Sequence, residues 1–564
     1  MNPKSAKWWL EYYPPGVPHE VDTTEFATLR DMIDTAFATF AARPMVTCLD
    51  KTLTFGEVDQ LSHALAAWLQ STGLKPGARV ALMMPNCHQY VIALVALVRA
   101  GLVVVNVNPL YTARELQHQL SDSGAEAIII LEQFAHTLAG IIGNTSVKYV
   151  VTTGIGDLLG FPKAQFARFV TRHVKKTVPA FSLPQSINFN AALSRGRTLA
   201  TAPVTLAPSD MAYLQYTGGT TGASKGAILS HANVISQTLI AEAWLSPALI
   251  DPRRGAAPEI YTVICALPLY HIYALTACFW LGIRIGAHNV LIPNPRDMDA
   301  MVATMAKQPF HVLPAVNTMF NALLHHAQFQ KLDFSALRIS SGGGAAVQRA
   351  VADGWLKLTG TPIVEGYGLT ESTAGATCNE FTNEIYTGDV GMPIPNVEIV
   401  IRDDNNIELP LGQPGEVCVR GPNVMQGYWQ APAETAKAIA ADGFLRTGDI
   451  GIMLPNGHLK IVDRKKDMIL VSGFNVYPTE IEEVVMTCPG VMECGAVGIA
   501  DEKTGEAVRL AVVRSDPTLT EALIMEHCRK NLTAYKCPKT IVFRDSLPKS
   551  PIGKILRREL RDQI

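Results

Sequence analysis

The sequence predicts an α/β protein with a large N-terminal domain of layered sheets plus a small β unit, followed by a small α+β C-terminal domain. Two observations predict this fold class. Apolar, β-branched runs alternate with amphipathic helical stretches through the first part of the chain, which is typical of buried parallel strands. From about residue 396 the strands shorten and turn residues separate them. At 564 residues the chain is also too long for one packed core.

The alternation is clearest between residues 54 and 153. Four runs, ARVALMMP, LVVVNVNP, AEAIIIL and VKYVVTT, have the length and composition of buried strands and lie at 78–85, 102–109, 125–131 and 147–153. The stretch TFGEVDQLSHALAAWLQSTG at 54–73 has helical periodicity. We therefore expect a mostly parallel sheet covered by helices.

The second half of the chain changes character twice. After residue 396, the turn sequences DDNN, GQPG and GP separate short strands, which predicts an antiparallel β unit. Five consecutive charged residues then begin at Asp463, between two apolar strands. We place the domain boundary there, with an N-terminal domain at 1–462 and a C-terminal domain at 463–564. An ordinary solvated turn is the alternative reading of such a charge run.

Composition excludes several classes of protein. The chain is 48% hydrophobic and 17% charged with a formal net charge of -2, so its overall charge does not favour nucleic acid as a partner. Its ten Cys include no CxxC pair and no His/Cys cluster at ligand spacing, which argues against a disulfide framework and a structural zinc site. A reducing cytoplasm fits this pattern, and the N-terminal residues carry no apolar run of a signal peptide.

One apolar segment is long enough to span a bilayer. Residues 260–283 contain no Asp, Glu, Lys or Arg. Pro268 and the polar pair that follows interrupt the segment, however, and the first half is β-branched. We expect a buried strand, a loop and a buried helix.

The stretch YTGGTTGASKG at 216–226 concentrates glycine, hydroxyl groups and one lysine between a predicted strand, MAYLQY, and a predicted helix that Ser230 caps. Glycines let backbone N–H groups converge on an anion, the hydroxyls add donors, and the lysine adds a charge. A polyphosphate is the natural ligand, although the spacing is not that of a Walker loop. A flexible surface loop is the alternative. The predicted binding residues are Thr217, Gly218, Gly219, Thr220, Thr221, Gly222 and Lys225.

Together with five later motifs, this stretch resembles the adenylate-forming enzymes, the group that contains acyl-CoA synthetases, firefly-type luciferases and adenylation domains of peptide synthetases. The later motifs follow in the expected order and are SGGGAA (341–346), EGYGLTES (365–372), LRTGDIG (445–451), VDRKKDMILVSGFNVYP (462–478) and LPKSPIGKILRREL (547–560). Within the group, PLYHIYALT, NPRDM and GFNVYPTEIEEVV are most similar to bacterial long-chain fatty-acid–CoA ligases. The resemblance covers essentially the whole chain and implies that the C-terminal domain is mobile.

The resemblance also implies a nucleotide site. It assigns Thr370 to a phosphate oxygen, Glu371 to Mg²⁺, Tyr367 to the adenine ring and Asp449 to the ribose hydroxyls. Hydroxyl and carboxylate groups suit these tasks, although a helix cap and a turn would also use them. The other implied ATP-binding residues are Gly344, Ala345, Glu365, Gly366, Gly368, Arg464 and Lys554.

The same resemblance assigns catalysis to Lys554, Thr370 and Glu371. A cation between a carboxylate and a phosphate offsets their repulsion, whereas a solvated helix is the alternative reading of KILRREL. Gly342, Gly343 and His271 are expected at the acyl group, although His271 is equally well a hydrogen-bonded core histidine. Coenzyme A is expected at Ser472, Gly473 and Phe474, after the C-terminal domain pivots about a hinge at Asp463.

The implied reaction joins a long-chain fatty acid to coenzyme A through an acyl-adenylate, releasing AMP and pyrophosphate, with Mg²⁺, ATP and coenzyme A required. Alternatives are a medium-chain or aryl acid, transfer to a carrier protein, a phosphotransferase and a non-catalytic lipid-binding protein. Trp8, Trp9, Tyr12 and Tyr13 are candidates for peripheral contact with the inner face of the cell membrane, or else pack on their own domain. The oligomeric state stays open, with a homodimer as one candidate.

Overall fold

The computed structural model describes residues 7–217, 224–550 and 553–562. Its strands fall into four sheets. In chain order they are β1 (Pro44–Cys48), β2 (Lys51–Thr54), β3 (Arg79–Met83), β4 (Val103–Asn106), β5 (Ala127–Leu131), β6 (Tyr149–Thr153), β7 (Ile187–Asn188), β8 (Met211–Tyr216), β9 (Gly226–Ser230), β10 (Thr262–Cys265), β11 (His288–Leu291), β12 (Val312–Ala315), β13 (Ile339–Gly342), β14 (Ile363–Tyr367), β15 (Thr377–Cys378), β16 (Met392–Pro393), β17 (Glu398–Arg402), β18 (Gly415–Arg420), β19 (Gly427–Tyr428), β20 (Leu445–Met453), β21 (Leu459–Arg464), β22 (Ile469–Val471), β23 (Phe474–Val476), β24 (Val491–Asp501), β25 (Gly505–Arg514) and β26 (Thr540–Phe543).

The α-helices cover the sheets. In chain order they are α1 (Leu29–Phe40), α2 (Phe55–Ser71), α3 (His88–Arg99), α4 (Ala113–Ser123), α5 (Ala135–Ala139), α6 (Lys163–Phe169), α7 (Phe189–Gly196), α8 (His231–Leu249), α9 (Ile272–Ala274), α10 (Leu281–Ile285), α11 (Met298–Met305), α12 (Asn317–Leu324), α13 (Arg349–Thr359), α14 (Pro432–Ala438), α15 (Pro478–Met486), α16 (Glu521–Asn531) and α17 (Arg557–Asp562).

Two large sheets form the N-terminal part. One has the strand order β16-β15-β14-β13-β12-β10-β11-β1-β2, and the other has the order β19-β9-β8-β4-β3-β5-β6-β7. The central pairs, such as β3 with β4 and β12 with β13, are parallel. The predicted strands at 78–153 and the helix at 54–73 are therefore confirmed.

Alternation of side chains explains the layers. Val80 and Leu82 of β3 join the largest apolar cluster, which also contains residues of α1, α2, α3 and α8 and of the nine-stranded sheet. Ala81 and Met83 point the other way and join a cluster with α4 and α5. All residues of α3 are buried, as expected of a helix enclosed between two sheets. A further cluster places α11, α12 and α13 on the outer face of the nine-stranded sheet.

The predicted antiparallel unit is the four-stranded sheet β17-β18-β20-β21. The C-terminal part is a five-stranded sheet, β23-β22-β25-β24 with β26 beside β25, and α15 and α16 pack on it. Strand β21 runs through Arg464, while the next sheet begins at Ile469. The chain thus passes from one sheet to the next within residues 465–468, a few residues after the predicted domain boundary. The boundary at 462/463 itself stays a prediction.

The apolar segment at 260–283 folds as expected. β10 is followed by a helical stretch at 272–285 that contains a π-helical turn, Leu275–Trp280, and most of these side chains lie in the largest core cluster. Among the residues described, no helix is long and apolar enough to cross a membrane.

Near the N-terminus, aromatic side chains pack onto the protein. Trp9 is buried in a cluster with Trp244 and residues of the four-stranded sheet, and Tyr13 donates a hydrogen bond of 2.6 Å to the Pro393 carbonyl. Trp8 packs partly against the same cluster, whereas Tyr12 is exposed. Of the two readings of this aromatic group, the structure favours packing on its own domain.

Candidate active site

The predicted phosphate loop is flanked by two antiparallel strands, β8 before it and β9 after it. β8 and β9 pair in antiparallel register, and the Thr217 N–H donates to the Lys225 carbonyl at 3.0 Å. We expected the loop to run from a strand directly into a helix, but β9 intervenes and α8 starts at His231 with a Ser230–Asn233 capping box. The predicted residues Gly218, Gly219, Thr220, Thr221 and Gly222 lie outside the described residues.

Lys225, just before β9, is linked through Tyr428 to Glu371, the predicted metal ligand. Its Nζ is 2.5 Å from Glu434 Oε2 and 4.9 Å from the centre of the Tyr428 ring. The Tyr428 hydroxyl in turn donates to Glu371 Oε1 at 2.7 Å. The two cationic neighbours Lys225 and Lys437 lower the pKa of Glu434 to about 2. Lys225, Glu434, Tyr428 and Glu371 therefore form one connected group of side chains.

Glu371 fits a phosphate-bound Mg²⁺. It follows Thr370 in the short 3₁₀ turn Thr370–Ser372 after β14, and Tyr428 fixes one of its oxygens. No group of three or more His, Cys, Asp or Glu in the described part of the chain forms a metal centre. Mg²⁺ that is bound mostly by phosphates and water uses only one or two protein carboxylates, so a single hard oxygen ligand is consistent with the expected ion.

Three polar side chains from three strands contact one another. They are Tyr367 at the end of β14, Asp449 within β20 and Arg464 at the end of β21. The Tyr367 hydroxyl donates to Asp449 Oδ2 at 2.7 Å, and Arg464 Nε lies 3.0 Å from Asp449 Oδ1. Asp449 and Arg464 are also directly paired in the register of β20 and β21. Both carboxylate oxygens are thus oriented, and a carboxylate oxygen has a second lone pair for a further donor such as a ribose hydroxyl.

Lys554 joins this group from the C-terminal domain. Burial and the positive charge of Arg464 lower the pKa of Lys554 to about 8, while Asp449 acts in the opposite direction. Next to it, Gly553 has φ of +83°, and a Cβ built there would lie 2.4 Å from the Thr318 hydroxyl oxygen on α12. The positive φ favours glycine, and the Thr318 hydroxyl would have to turn away to admit a side chain. The lysine turn is therefore seated against the N-terminal domain.

The glycine motif after β13 lies against an aromatic ring. A Cβ on Gly343 would be 3.0 Å from the Tyr273 ring, and the Tyr273 and Ser341 hydroxyls are 2.5 Å apart. Gly344 has φ of +76° and precedes Ala345. Gly342, at the end of β13, pairs with Glu365. The motif thus brings bare backbone beside Tyr273, a residue that sequence reasoning did not single out.

Glu365 is a buried acid at the same edge of the sheet. It accepts a hydrogen bond of 2.7 Å from the Val347 N–H, and burial raises its pKa to about 8. Gly368 follows two residues after Gly366, and a Cβ at Gly368 would lie 1.5 Å from the Ala374 carbonyl oxygen. Glycine at 368 is therefore a steric requirement of the turn that leads to Thr370.

His271 caps the helical stretch at 272–285. Its Nδ1 accepts a hydrogen bond of 3.3 Å from the Tyr273 N–H, and burial lowers its pKa to about 4. The imidazole is therefore neutral at pH 7. This is the geometry of a capping, hydrogen-bonded histidine, and its expected contact with the acyl group stays a prediction.

The predicted coenzyme A segment lies apart from these residues. Ser472 and Gly473 both have positive φ, +51° and +84°, and form the two-residue turn of the β22–β23 hairpin. Phe474 is exposed and stacks on Tyr535 of the same domain at 4.8 Å. The structure therefore brings Tyr367, Asp449, Arg464 and Lys554 together, whereas the predicted coenzyme A residues take no part in these contacts.

Asp463, the expected hinge, is almost fully buried. Arg557 Nη1 donates to its Oδ1 at 2.6 Å, and the Thr479 N–H donates to its Oδ2 at 2.7 Å. Arg557 also binds Glu482 Oε2 at 2.7 Å. Arg557, three residues after Lys554, thus connects β21 to the C-terminal domain. The sequence analysis did not single out Arg557, although it lies in the same motif as Lys554.

Two domains that close around a shared polar site, one of them delivering a partly buried lysine, define the architecture of an adenylate-forming enzyme. The AMP-binding enzyme model matches residues 33–429, and the model of the AMP-binding enzyme C-terminal domain matches residues 480–554. The chain belongs to the AMP-binding enzyme family.

Relatives and solved structures agree with this assignment. The chain is 50% identical over 558 residues to a long-chain-fatty-acid–CoA ligase of Escherichia coli O6:H1, with 99% of the chain and 98% of that protein covered. It is 35% identical over 563 residues to a long-chain-fatty-acid–CoA ligase of Bacillus subtilis, with the same coverage, 99% and 98%. The crystal structure of ATP-bound MatB from Rhodopseudomonas palustris superposes with a TM-score of 0.77 at 26% identity, covering 95% of the chain and 98% of MatB.

Proposed function

We propose that the protein joins a long-chain fatty acid to coenzyme A at the expense of ATP, through an acyl-adenylate. The observation that carries the proposal is the position of Lys554, which reaches from the C-terminal domain to the Asp449–Tyr367–Arg464 group. The E. coli and B. subtilis relatives, both long-chain-fatty-acid–CoA ligases, support the choice of substrate. The substrates are small molecules, and the site of action is the cytoplasm.

In the first half-reaction the fatty acid carboxylate attacks the α-phosphorus of ATP and pyrophosphate leaves. Asp449 orients the ribose, and Tyr367 holds Asp449 and flanks the adenine. Thr217, Thr370 and Lys225 contact phosphate oxygens. Magnesium held at Glu371 neutralises phosphate charge when it is bound.

Lys554 lowers the barrier of this step electrostatically. Two anions, the carboxylate and the α-phosphate, must approach each other, and a desolvated ammonium beside both offsets their repulsion more strongly than it would in water. Lys554 is partly buried, and the desolvation that lowers its pKa is the low-dielectric effect that this role requires.

In the second half-reaction the C-terminal domain rotates, Lys554 withdraws, and the Ser472–Phe474 turn approaches the site. The thiolate of coenzyme A attacks the acyl carbon and AMP leaves. The exposed position of this turn, away from Asp449, supports the need for such a rotation. Hinge movements of this kind are part of the usual repertoire of two-domain enzymes.

Pyrophosphate and AMP release, measured across a series of fatty acids with and without coenzyme A, tests the proposal. We expect pyrophosphate to be released with long-chain acids, and thioester to form only when coenzyme A is added. Release of ADP instead would indicate a phosphotransferase. A preference for aryl or medium-chain acids, or transfer only to a carrier protein, would replace the proposed substrates.

A further inference from the structure

A continuous helical segment at 163–174, formed by α6 and a π-helical turn, carries large apolar side chains on its outer side. Phe166 is 69% exposed, Phe169 56% and Val174 63%, and Phe161, just before the helix, is 87% exposed. Its small residues face the protein, since a Cβ on Gly156 would lie 2.5 Å from the Ala167 side chain. We call residues 161–176 the α6 surface.

The spacing of these side chains distinguishes the surface from scattered apolar residues. Single exposed apolar side chains are normal on proteins. Here Phe166, Phe169 and Val174 recur at about one helical turn, so they line one outward strip. The exposed Phe and Val side chains therefore form one apolar strip along the helix, between exposed basic residues.

The charged side chains within the segment itself are all positive. No Asp or Glu occurs between residues 158 and 209, in a chain whose formal net charge is -2. Four cationic side chains of the α6 surface are exposed, namely Lys163, Arg168, Lys175 and Lys176. Arg172 is used internally, because it pairs with Glu132 at 2.7 Å.

We propose that the α6 surface docks on an anionic lipid bilayer. Amphipathic helices with aromatic residues on one face and Lys or Arg on the flanks lie in the plane of the membrane interface. The three Phe would enter the boundary between headgroups and acyl chains, while the basic residues contact lipid phosphates. The inference goes beyond the proposed ligation and does not depend on it. It also moves the membrane contact away from Trp9 and Tyr13, which pack internally.

Vesicle flotation of the full chain tests the proposal. The probes are vesicles of phosphatidylcholine alone and vesicles in which about one third of the lipid is phosphatidylglycerol. We expect binding to the anionic vesicles that weakens at about 1 M salt, where the Debye length is ~3 Å. Phe166→Ser/Phe169→Ser should lower the partition coefficient at least about tenfold. Lys175→Gln/Lys176→Gln should lower it by about ten- to thirty-fold at low salt.

Matched controls separate the α6 surface from general surface properties. Ile250→Ser/Ile385→Ser removes two apolar side chains that are 68% and 77% exposed elsewhere. Lys331→Gln/Lys357→Gln removes two exposed lysines elsewhere. Both control variants should bind vesicles like the wild type. All four variants should keep the wild-type unfolding temperature and pyrophosphate release with a dissolved acid.

Three results would overturn the proposal. The first is that the wild-type chain does not float with anionic vesicles. The second is that the Phe166/Phe169 and Lys175/Lys176 variants bind as tightly as the controls. The third is a wild-type dimer that becomes monomeric only in the Phe166/Phe169 variant without any change in flotation, which would assign the surface to a second copy of the chain.

Discussion

At the scale of single residues, Lys554 is subject to opposing electrostatic effects. Removal from water destabilises its ammonium group, and Arg464 adds repulsion, whereas Asp449 and Asp467 stabilise the charge. The balance leaves its pKa at about 8, so the side chain is mostly a cation at pH 7. A partly buried cation at this position is suited to substrate anions.

Replacing Lys554 by Ala should abolish adenylation selectively. Loss of one well-placed charged donor commonly costs about 10²–10³-fold in rate, equivalent to roughly 2.7–4 kcal/mol. Pyrophosphate exchange measures adenylation, and coenzyme A-dependent consumption of supplied acyl-adenylate measures the second step. The second rate should remain within a few-fold of wild type. An equal loss in both steps would contradict the division of labour.

The pH dependence of adenylation should follow the ionisation of Lys554. As pH rises through about 8 the lysine loses its proton, so kcat/KM for ATP in pyrophosphate exchange should fall on the alkaline side. Lys554→Arg keeps the charge at higher pH, and its residual activity should therefore lack that alkaline fall. An identical fall in the arginine variant would assign the transition to another group.

Motifs identified Lys554, Asp449, Tyr367 and Arg464, and the structure brings these four together. Tyr428 and Glu434 were missed for a physical reason. Tyr428 meets Glu371 across 57 positions of sequence, and Glu434 meets Lys225 across 209. Such pairs depend on how strands β9 and β19 are arranged, and no local spacing encodes that arrangement.

At the scale of elements, apolar runs predicted strands β3 to β6, β8 and β10 and helices α2 and α8, whereas β9 was missed. Its sequence, GAILS, is short and adjoins the glycine-rich loop, so local pattern merged it with the loop. Pairing with both β8 and β19 gives it strand structure. Antiparallel partners from distant parts of the chain are a tertiary effect that local propensity does not contain.

The Arg557 network should hold the C-terminal domain in the orientation that delivers Lys554. Arg557→Ala leaves the buried Asp463 and the partly buried Glu482 without this cation, and breaking a buried ion pair typically costs about 3–5 kcal/mol. We expect adenylation to fall at least about tenfold and the C-terminal domain to unfold at a lower temperature.

Arg557→Lys is the matched control, because it retains the charge but cannot reach Asp463 and Glu482 as a fork. It should lie between the wild type and Arg557→Ala in both pyrophosphate exchange and thermal unfolding. Normal adenylation in Arg557→Ala, alongside an altered thioester step, would show that the network serves the other orientation.

At the scale of the whole molecule, the sequence predicted the layered α/β part, the antiparallel unit and the α+β end, and the structure contains all three. The relative placement of the two domains was not readable from sequence. It depends on close contacts such as Gly553 against Thr318 and on buried charges at Asp463 and Arg557. These contacts place Lys554 at the predicted nucleotide-binding residues and leave Ser472–Phe474 exposed, so the two proposed half-reactions require two orientations of one domain.

A cross-link between residues 318 and 553 tests this requirement most directly. A Cβ at residue 553 would lie 3.6 Å from Thr318 Cβ, within the range of disulfides. Oxidised Thr318→Cys/Gly553→Cys should form acyl-adenylate but no thioester, and reductant should restore thioester formation. The controls are the reduced form of the same variant and oxidised Thr318→Cys alone. Thioester formation by the fully cross-linked protein at the rate of its reduced form would contradict the account.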